Sequence, residues 1–147
     1  MFSVGIAEEI GEGIGSELER RANLLGIRIF LSEPSGADLV VISPLATVRR
    51  ARGRYVILPG ESRVKVSADC AVTYGLCARD TVTMSSLSED SMVISLQRNI
   101  LTLGSGLAEC QEIPVALSGR LGAAGELCVT AALLALGVNP LKLTSIT

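Results

Sequence analysis

The sequence predicts an α/β fold in three layers, in which a parallel sheet with flanking helices continues into an antiparallel meander. In the first half of the 147 residues, short apolar runs alternate with helix-like or turn-like stretches, as in parallel strands joined by crossovers. In the second half, apolar and polar residues alternate with a period of two, as in antiparallel strands with one wet face. An apolar, alanine-rich segment near the end predicts a buried helix. With no linker visible, we expect residues 1–147 to form a single α/β domain.

The first half supplies the predicted parallel strands and their connections. Apolar residues at near-helical spacing predict a helix over Glu8–Leu25, which Gly26 ends as a C-terminal cap. A short helix or turn is predicted around Leu45–Ala51. The predicted strands are Phe2–Ala7, Ile27–Leu31, Ala37–Ser43, Tyr55–Leu58 and Ala68–Tyr74.

The second half supplies the meander and the last helix. Alternating residues predict antiparallel strands between Thr81 and Leu117, with turns at Ser88–Asp90 and Gly104–Gly106. A helix is predicted over about Leu121–Leu136, ended by Gly137. Because this helix is apolar nearly all round, we expect it to lie either deep in the core or in a subunit interface.

Composition excludes several classes of function. The formal net charge of −2 provides no overall field for nucleic acid or an anionic membrane. The longest apolar run, Leu127–Val138, falls short of the roughly 20 residues that span a bilayer. No signal peptide is visible after Met1, so we expect a cytoplasmic protein with no nucleic-acid or membrane partner.

The sequence also lacks the residues of the common catalytic sites. It contains no histidine, which excludes Ser-His-Asp and Cys-His sites and an imidazole base. The two lysines, Lys65 and Lys142, lie outside any glycine-rich loop, so there is no P-loop. The four cysteines have no zinc-site spacing and are interpreted as buried thiols in a reducing compartment. We predict no metal and no cofactor.

A glycine cluster follows the first strand, where a dinucleotide fingerprint would lie. The cluster runs from Gly11 to Ser16, and Ser16 stands where the fingerprint requires its third glycine. Glu8, Glu9 and Glu12 crowd the start of the helix and would repel a phosphate. The pattern therefore argues against a nucleotide site.

An arginine cluster is the first candidate ligand site. Guanidinium groups suit phosphates and carboxylates, so one interpretation is a patch that binds a small anionic ligand or RNA. The other is a solvated loop and helix end balanced by acidic groups elsewhere. The scarcity of aromatic residues argues against RNA. The cluster comprises Arg49, Arg50, Arg52 and Arg54, with Arg63 and Lys65 as further members.

A second candidate site lies at the end of the strand that begins near Ala68. Tyr74, Arg79 and Asp80 follow it closely, together with Asp69 at its start. Ligands of open α/β sheets bind beyond the carboxyl ends of strands, where Tyr74 and Asp80 would act as acid and base. The alternative interpretation is that Asp80 caps a loop and Tyr74 packs at the strand end.

The residues from about Ala68 to Val138 resemble the second part of the Mur ligase central domain. The resemblance rests on Thr73-Tyr74-Gly75, the antiparallel strands after it, and Gly119-Arg120 leading into the alanine-rich helix that ends in Leu136-Gly137-Val138. It implies the same order of strand, antiparallel sheet and helix. The family's histidine and two asparagines fall on Leu121, Gly122 and Gly125, and its ATP-binding loop has no counterpart after the first strand. The resemblance thus implies a scaffold without the ATP chemistry.

Two classes of function remain open at this point. The leading prediction is a non-catalytic binding or assembly module that self-associates and takes a small anionic ligand or a protein partner. The alternative is an enzyme or enzyme subunit, similar to a ligase or transferase, that uses Asp, Arg or Tyr in place of histidine or metal.

Overall fold

A computed structural model describes residues 1–145, which fold around one large sheet. The strands are β1 (Phe2–Ala7), β2 (Ile29–Ser32), β3 (Leu39–Ile42), β4 (Arg50–Arg52), β5 (Tyr55–Pro59), β6 (Lys65–Ser67), β7 (Cys70–Tyr74), β8 (Val82–Leu87), β9 (Ser91–Leu96), β10 (Ile100–Leu101), β11 (Leu107–Ala108) and β12 (Gln111–Ala116). The helices are α1 (Ile14–Leu24), α2 (Ala123–Ala135) and α3 (Pro140–Leu143).

The central sheet has eight strands in the order β12-β9-β8-β7-β5-β3-β1-β2. From β2 to β8 neighbouring strands are parallel, and β8, β9 and β12 are antiparallel. The predicted α/β fold with an antiparallel extension is therefore confirmed. The extension joins the parallel part where Tyr74 pairs with Val82.

Alternating side chains of the central strands enter two separate apolar clusters. In β3, Leu39 and Val41 belong to the larger cluster, which includes residues of α1 and α2. Val40 and Ile42 belong to the smaller cluster on the opposite face. Because successive residues of a strand point to opposite faces, α1 and α2 cover one face, which we call the helix face.

The opposite face is covered by a small sheet, which corrects the expectation of helices on both faces. The predicted helix or turn around Leu45–Ala51 is wrong as a helix: a turn leads into β4, which pairs in parallel with β6. Ala51 and Val66 pack against the smaller cluster. The alternation from Val64 to Ser67 has the period of a strand, and it provides one apolar side for the core.

Helix α1 begins at Ile14, six residues later than predicted. Gly11 and Gly13 have φ values of +89° and +77°, which are left-handed and incompatible with a helix. Residues 8–13 therefore form a loop. At the other end, the predicted cap is confirmed because Gly26 has φ +73°.

Helix α2 is buried within this chain. The sheet and α1 pack against it, and the small β10–β11 hairpin contributes Ile100, Leu103 and Ala108 to the same cluster. The backbone N–H of Leu103 donates to the carbonyl of Ala135 at 2.9 Å. The first of the two expectations for this helix is thus confirmed. Within residues 1–145, no helix combines the length and apolar content that crossing a membrane requires.

A buried ion network joins α1 to α2. The Arg21 guanidinium donates to Glu17 at 2.8 Å and to both carboxylate oxygens of Glu126 at 2.8 and 3.0 Å. Glu126 is fully buried and Arg21 is 5% exposed. Arg20 and Arg120 donate to Glu17 from the protein surface. Both buried carboxylates therefore have cationic partners.

Acid should weaken this network through Glu17. Burial opposes ionisation of Glu17, but hydrogen bonds from Arg20 and Arg21 outweigh it and lower its pKa from 4.5 to about 2. Since the folded pKa is below the unfolded one, the stabilisation is complete above pH 4.5 and is lost as the pH falls towards 2. We expect Glu17→Gln to lower the free energy of unfolding by about 3 kcal/mol at neutral pH and by progressively less between those pH values.

Urea denaturation across this pH range provides the measurement. Glu19→Gln is the matched control because Glu19 is an exposed residue of the same helix. A difference between wild type and Glu17→Gln that stays constant from neutral pH to the acid end would contradict the assignment.

A close backbone crossing fixes the connection between β2 and β3. A Cβ on Gly5 would lie 2.5 Å from the Cα of Pro34 and 2.7 Å from the Glu33 carbonyl oxygen. Residues 33–36 therefore pass directly over β1 on the face opposite α1. This crossing forms one wall of the groove described below.

The crossing predicts that Gly5→Ala is destabilising. The added methyl group meets backbone that cannot rotate away, so we expect a loss of about 1–3 kcal/mol in the free energy of unfolding. Gly104→Ala is the control, since nothing lies within 4 Å of a Cβ there. Equal effects of the two changes in urea denaturation would refute a tight crossing at Gly5.

Candidate functional site

The carboxyl ends of β1 and β3 adjoin at the place where open α/β sheets commonly bind ligands. Ala7 and Ile42 are register partners there. The chain leaves β1 towards α1 on the helix face and leaves β3 towards β4 on the opposite face. Such a divergence opens a crevice between the two connections.

The chain's own carboxylates fill this crevice. Glu8 accepts hydrogen bonds from the backbone N–H groups of Ile14 and Gly15, at 3.0 and 2.8 Å. Glu12 accepts from the Ser43 hydroxyl and, at 3.2 Å, from the N–H of Leu45. The N-terminus of α1, where a nucleotide phosphate would bind, is thus occupied by Glu8. This agrees with the sequence-based argument against a nucleotide.

The hydroxyl of Tyr74 is buried under the same crevice. Tyr74 is 2% exposed and donates to the carbonyl of Ile42 at 2.7 Å. Burial, followed by the adjacent Cys128 thiol, raises the pKa of Tyr74 far above its usual range. This hydrogen bond links β7 to β3, and the raised pKa keeps the Tyr74 hydroxyl protonated.

Asp80 and Arg79 belong to the tight loop between β7 and β8. Asp80 is 1% exposed and accepts from the N–H of Cys77 at 3.0 Å. Its carboxylate packs against Gly60 and Gly75, where a Cβ would lie within 1.8 and 2.5 Å of its oxygens. The Arg79 side chain is exposed. The loop-capping interpretation of Asp80 matches these contacts, in which Oδ2 accepts the hydrogen bond and Oδ1 is buried without a partner among the described residues.

The arginine cluster lies on and around the small sheet. Arg50 and Lys65 are register partners, and Arg52 is two residues along β4. All three side chains are exposed, because Ala51 and Val66 occupy the side of the small sheet that packs against the smaller apolar cluster. We call Arg50, Arg52 and Lys65 the basic face.

The basic face forms no ion pair within residues 1–145, although Glu33 lines the groove beside it. Within residues 1–145, the side chains of Arg50, Arg52 and Lys65 take part in no ion pair or hydrogen bond. Like charges directly opposite each other in a sheet are destabilising. The fold therefore places uncompensated positive charge at one point of its surface.

A groove of about 520 Å³ adjoins the basic face. Its floor is the apolar surface of β1 and β3 on the face opposite α1, and one wall is the crossing of residues 33–36 over β1. The other wall includes β4 and residues of β6. The groove is lined by Ala7, Glu33, Pro34, Ser35, Val40, Ile42, Val48, Arg50, Ala51, Arg52, Lys65, Val66 and Ser67.

The remaining arginines of the predicted cluster lie apart from the groove. Arg49 and Arg63 line a separate cavity of about 400 Å³ beyond the start of β4. Arg54 is 3.5 Å from the Asp38 carboxylate, in a surface ion pair. Of the predicted cluster, the structure therefore brings Arg50, Arg52 and the further member Lys65 together beside the groove.

Sequence analysis missed the strand pairing that brings Lys65 to Arg50. The signal was present: Val64 to Ser67 alternates apolar and polar residues, and Arg50-Ala51-Arg52 alternates in the same way. The internal contacts of Glu8 and Glu12 and the Arg21 network were also missed. They depend on tertiary neighbours that lie far away in the sequence.

The cysteines do not all behave as buried thiols. Cys128 is buried, and its desolvation raises the thiol pKa to about 12. Cys70 and Cys77 are partly exposed and Cys110 is exposed, so the expectation of buried thiols holds only for Cys128. Cys110 ends the turn after β11, where its N–H donates to Asn99 at 2.8 Å. No cluster of three or more His, Cys, Asp or Glu side chains suited to a metal ion occurs among residues 1–145.

Comparison with known proteins does not assign this chain to a family. No family model matches the chain, and a search of curated proteins finds no significant match. The resemblance to the Mur ligase central domain stays a prediction. The order of β7, the antiparallel strands and α2 is the order that this resemblance implies.

The buried position of Tyr74 predicts a structural role. We expect Tyr74→Phe to lower the free energy of unfolding by about 1–2 kcal/mol, because the Ile42 carbonyl loses its hydrogen bond in a buried place. Binding of anions at the groove should not change. Urea denaturation and ligand titration of the same variant measure both effects; unchanged stability with lost binding would instead make Tyr74 a site residue.

Proposed function

We propose that this protein is a non-catalytic binding module that holds a small anionic ligand between the basic face and the groove. The observation that carries the proposal is the register pairing of Arg50 with Lys65, beside Arg52, without a carboxylate partner among residues 1–145. An anion seated between these side chains would relieve their repulsion. Guanidinium groups bind carboxylates and phosphates through paired hydrogen bonds.

The groove indicates which kind of anion fits. Its volume of about 520 Å³ lies within the range of small-molecule sites, and its floor is aliphatic. Val48, which is 39% exposed, and the partly buried Val66 offer contact to an apolar part of the ligand, while the basic face meets its charged end. We therefore favour an anion with an aliphatic portion, such as a medium-chain carboxylate or phosphate ester.

The contacts of the candidate acid–base residues favour binding over turnover. The Tyr74 hydroxyl donates a hydrogen bond to a main-chain carbonyl, and Asp80 is buried against two glycines. The alternative of an enzyme or enzyme subunit that uses Asp, Arg or Tyr would require both residues to become accessible. A scaffold whose helix N-terminus is filled by Glu8 also fits a protein that has lost, or never had, ATP chemistry.

Replacement of the basic face tests the proposal. Octanoate and octyl phosphate are the probes, each in a calorimetric titration and a thermal-denaturation series. A ligand present at about 100 times its dissociation constant adds about 2.7 kcal/mol to the free energy of unfolding. We expect this stabilisation in the wild type and its loss in the double variant Arg50→Ala, Arg52→Ala. Without ligand, the double variant should be as stable as the wild type or slightly more so, because repulsion is removed.

The control is the double variant Arg79→Ala, Lys142→Ala, which removes the same charge from exposed positions away from the groove. It should keep the ligand response. A ligand response that survives in Arg50→Ala, Arg52→Ala, or a wild type that responds to neither probe nor to inorganic phosphate, would refute the anion site.

A further inference from the structure

The groove beside the basic face also carries a negative charge. Glu33 lines it from the crossing of residues 33–36, whereas the basic face lines it from the small sheet. Glu33 is exposed, and its carboxylate takes part in no ion pair or hydrogen bond with residues 1–145. Charges of both signs therefore line one cavity without direct contact between them.

The two walls of the groove are joined by the backbone. The N–H of Gly36, at the end of the crossing, donates to the carbonyl of Arg52 at 3.0 Å. The crossing also packs tightly on β1, since a Cβ on Gly5 would lie 2.5 Å from the Cα of Pro34. The backbone that carries Glu33 and the strand that carries the arginines are thus connected before a ligand binds. A preformed arrangement of this kind lowers the ordering cost of binding.

A purely anionic ligand would complement only the basic wall. Its alkyl part, lying along the groove, would cover the Glu33 carboxylate with apolar surface, and burying a charge without a hydrogen bond is costly. An ammonium group would instead donate to that carboxylate. The Ser35 hydroxyl also lines the groove and has no hydrogen-bond partner among the described residues, so it offers a second acceptor for the three N–H donors of an ammonium.

We infer that the ligand of this groove is a zwitterion, an aliphatic molecule with an anionic group at one end and an ammonium group at the other. The inference rests on the proposed anion site and adds a second charged contact to it. The anionic end binds at the basic face, and the ammonium end binds at Glu33 and Ser35. Val48 and Val66 contact the methylene groups between the two ends. Amino acids whose amine is at the far end of the chain have this form.

Probes that differ only in the ammonium group test the inference. ω-Aminooctanoate is compared with octanoate, and ω-aminohexanoate with hexanoate, by calorimetric titration of the full chain at low ionic strength, where exposed ion pairs are screened least. We expect the better of the two amino acids to bind the wild type about fivefold tighter than its own carboxylate, which is the contribution of about one exposed ion pair.

Substitution of Glu33 assigns this preference to one side chain. Glu33→Gln should abolish the preference for the amino acid and keep the affinity for the carboxylate. Glu61→Gln is the matched control, because Glu61 is also exposed in a turn but does not line the groove; it should keep the preference. Glu33→Lys should reverse the order, so that octanedioate, with a carboxylate at each end, binds tighter than ω-aminooctanoate. Circular dichroism confirms that each variant is folded.

The outcomes separate the zwitterion from the anion site. The zwitterion is refuted, and the anion site stands, if the carboxylates bind as tightly as the amino acids, if Glu33→Gln keeps the preference, or if Glu33→Lys does not reverse it. If no probe binds the wild type, the inference fails, and the anion site fails with it where octyl phosphate and inorganic phosphate do not bind either.

Discussion

The guanidinium of Arg21, held between two buried carboxylates, is the contact on which the arrangement of this protein depends. It fixes α1 against α2 at a point that water does not reach, since Glu126 is fully buried. A buried pair contributes little net stability, but loss of one partner costs roughly 3–5 kcal/mol because the other charge remains buried. The pair therefore enforces one relative position of the two helices more than it strengthens their contact.

The position of α1 determines the geometry at the carboxyl edge of the sheet. Its first turn receives Glu8, and the loop before it sends Glu12 to Ser43 at the end of β3. The connection after β3 then runs into β4. Glu12 thereby contacts the start of the connection that leads to the strand with Arg50 and Arg52. The buried ion network and the basic face lie on opposite sides of the sheet, and this loop links them.

Local patterns predicted the central part of the fold and failed at its periphery. The four residues of β3 are buried on both faces, and such strands read as continuous apolar runs. The start of α1 was placed too early because Ile10 fits the helical spacing although it is fully exposed in the loop. Spacing alone does not register the positive φ of Gly11 and Gly13. The small sheet was missed because its strands have three residues each, too few for a period-two pattern to stand out from a loop.

The sequence predicted which residues gather at the candidate site, but not how they are arranged in space. The sequence shows that arginines gather between residues 49 and 54, but only strand pairing shows which of them face outward and that Arg50 lies opposite Lys65. The acidic residues after β1 are equally conspicuous in the sequence, and the fold uses them internally: Glu8 caps α1 and Glu12 binds Ser43.

Both the acidic residues after β1 and the arginines around β4 form charge clusters in the sequence. They differ in the structure, because the acidic residues have partners within the chain and the basic face has none in the part of the chain that the structure describes. A charged side chain whose partners lie within the chain is part of the architecture, as Glu8, Glu12 and Arg21 are. Cations that a sheet holds side by side without a counter-charge raise the energy of the unliganded fold, since like charges opposite each other repel. An anion bound at the basic face would recover that energy, whereas Glu8 and Glu12 at the crevice beyond β1 and β3 already accept their hydrogen bonds within the chain. On this physical ground we propose the anion site at the basic face and not at the crevice that the topology offers.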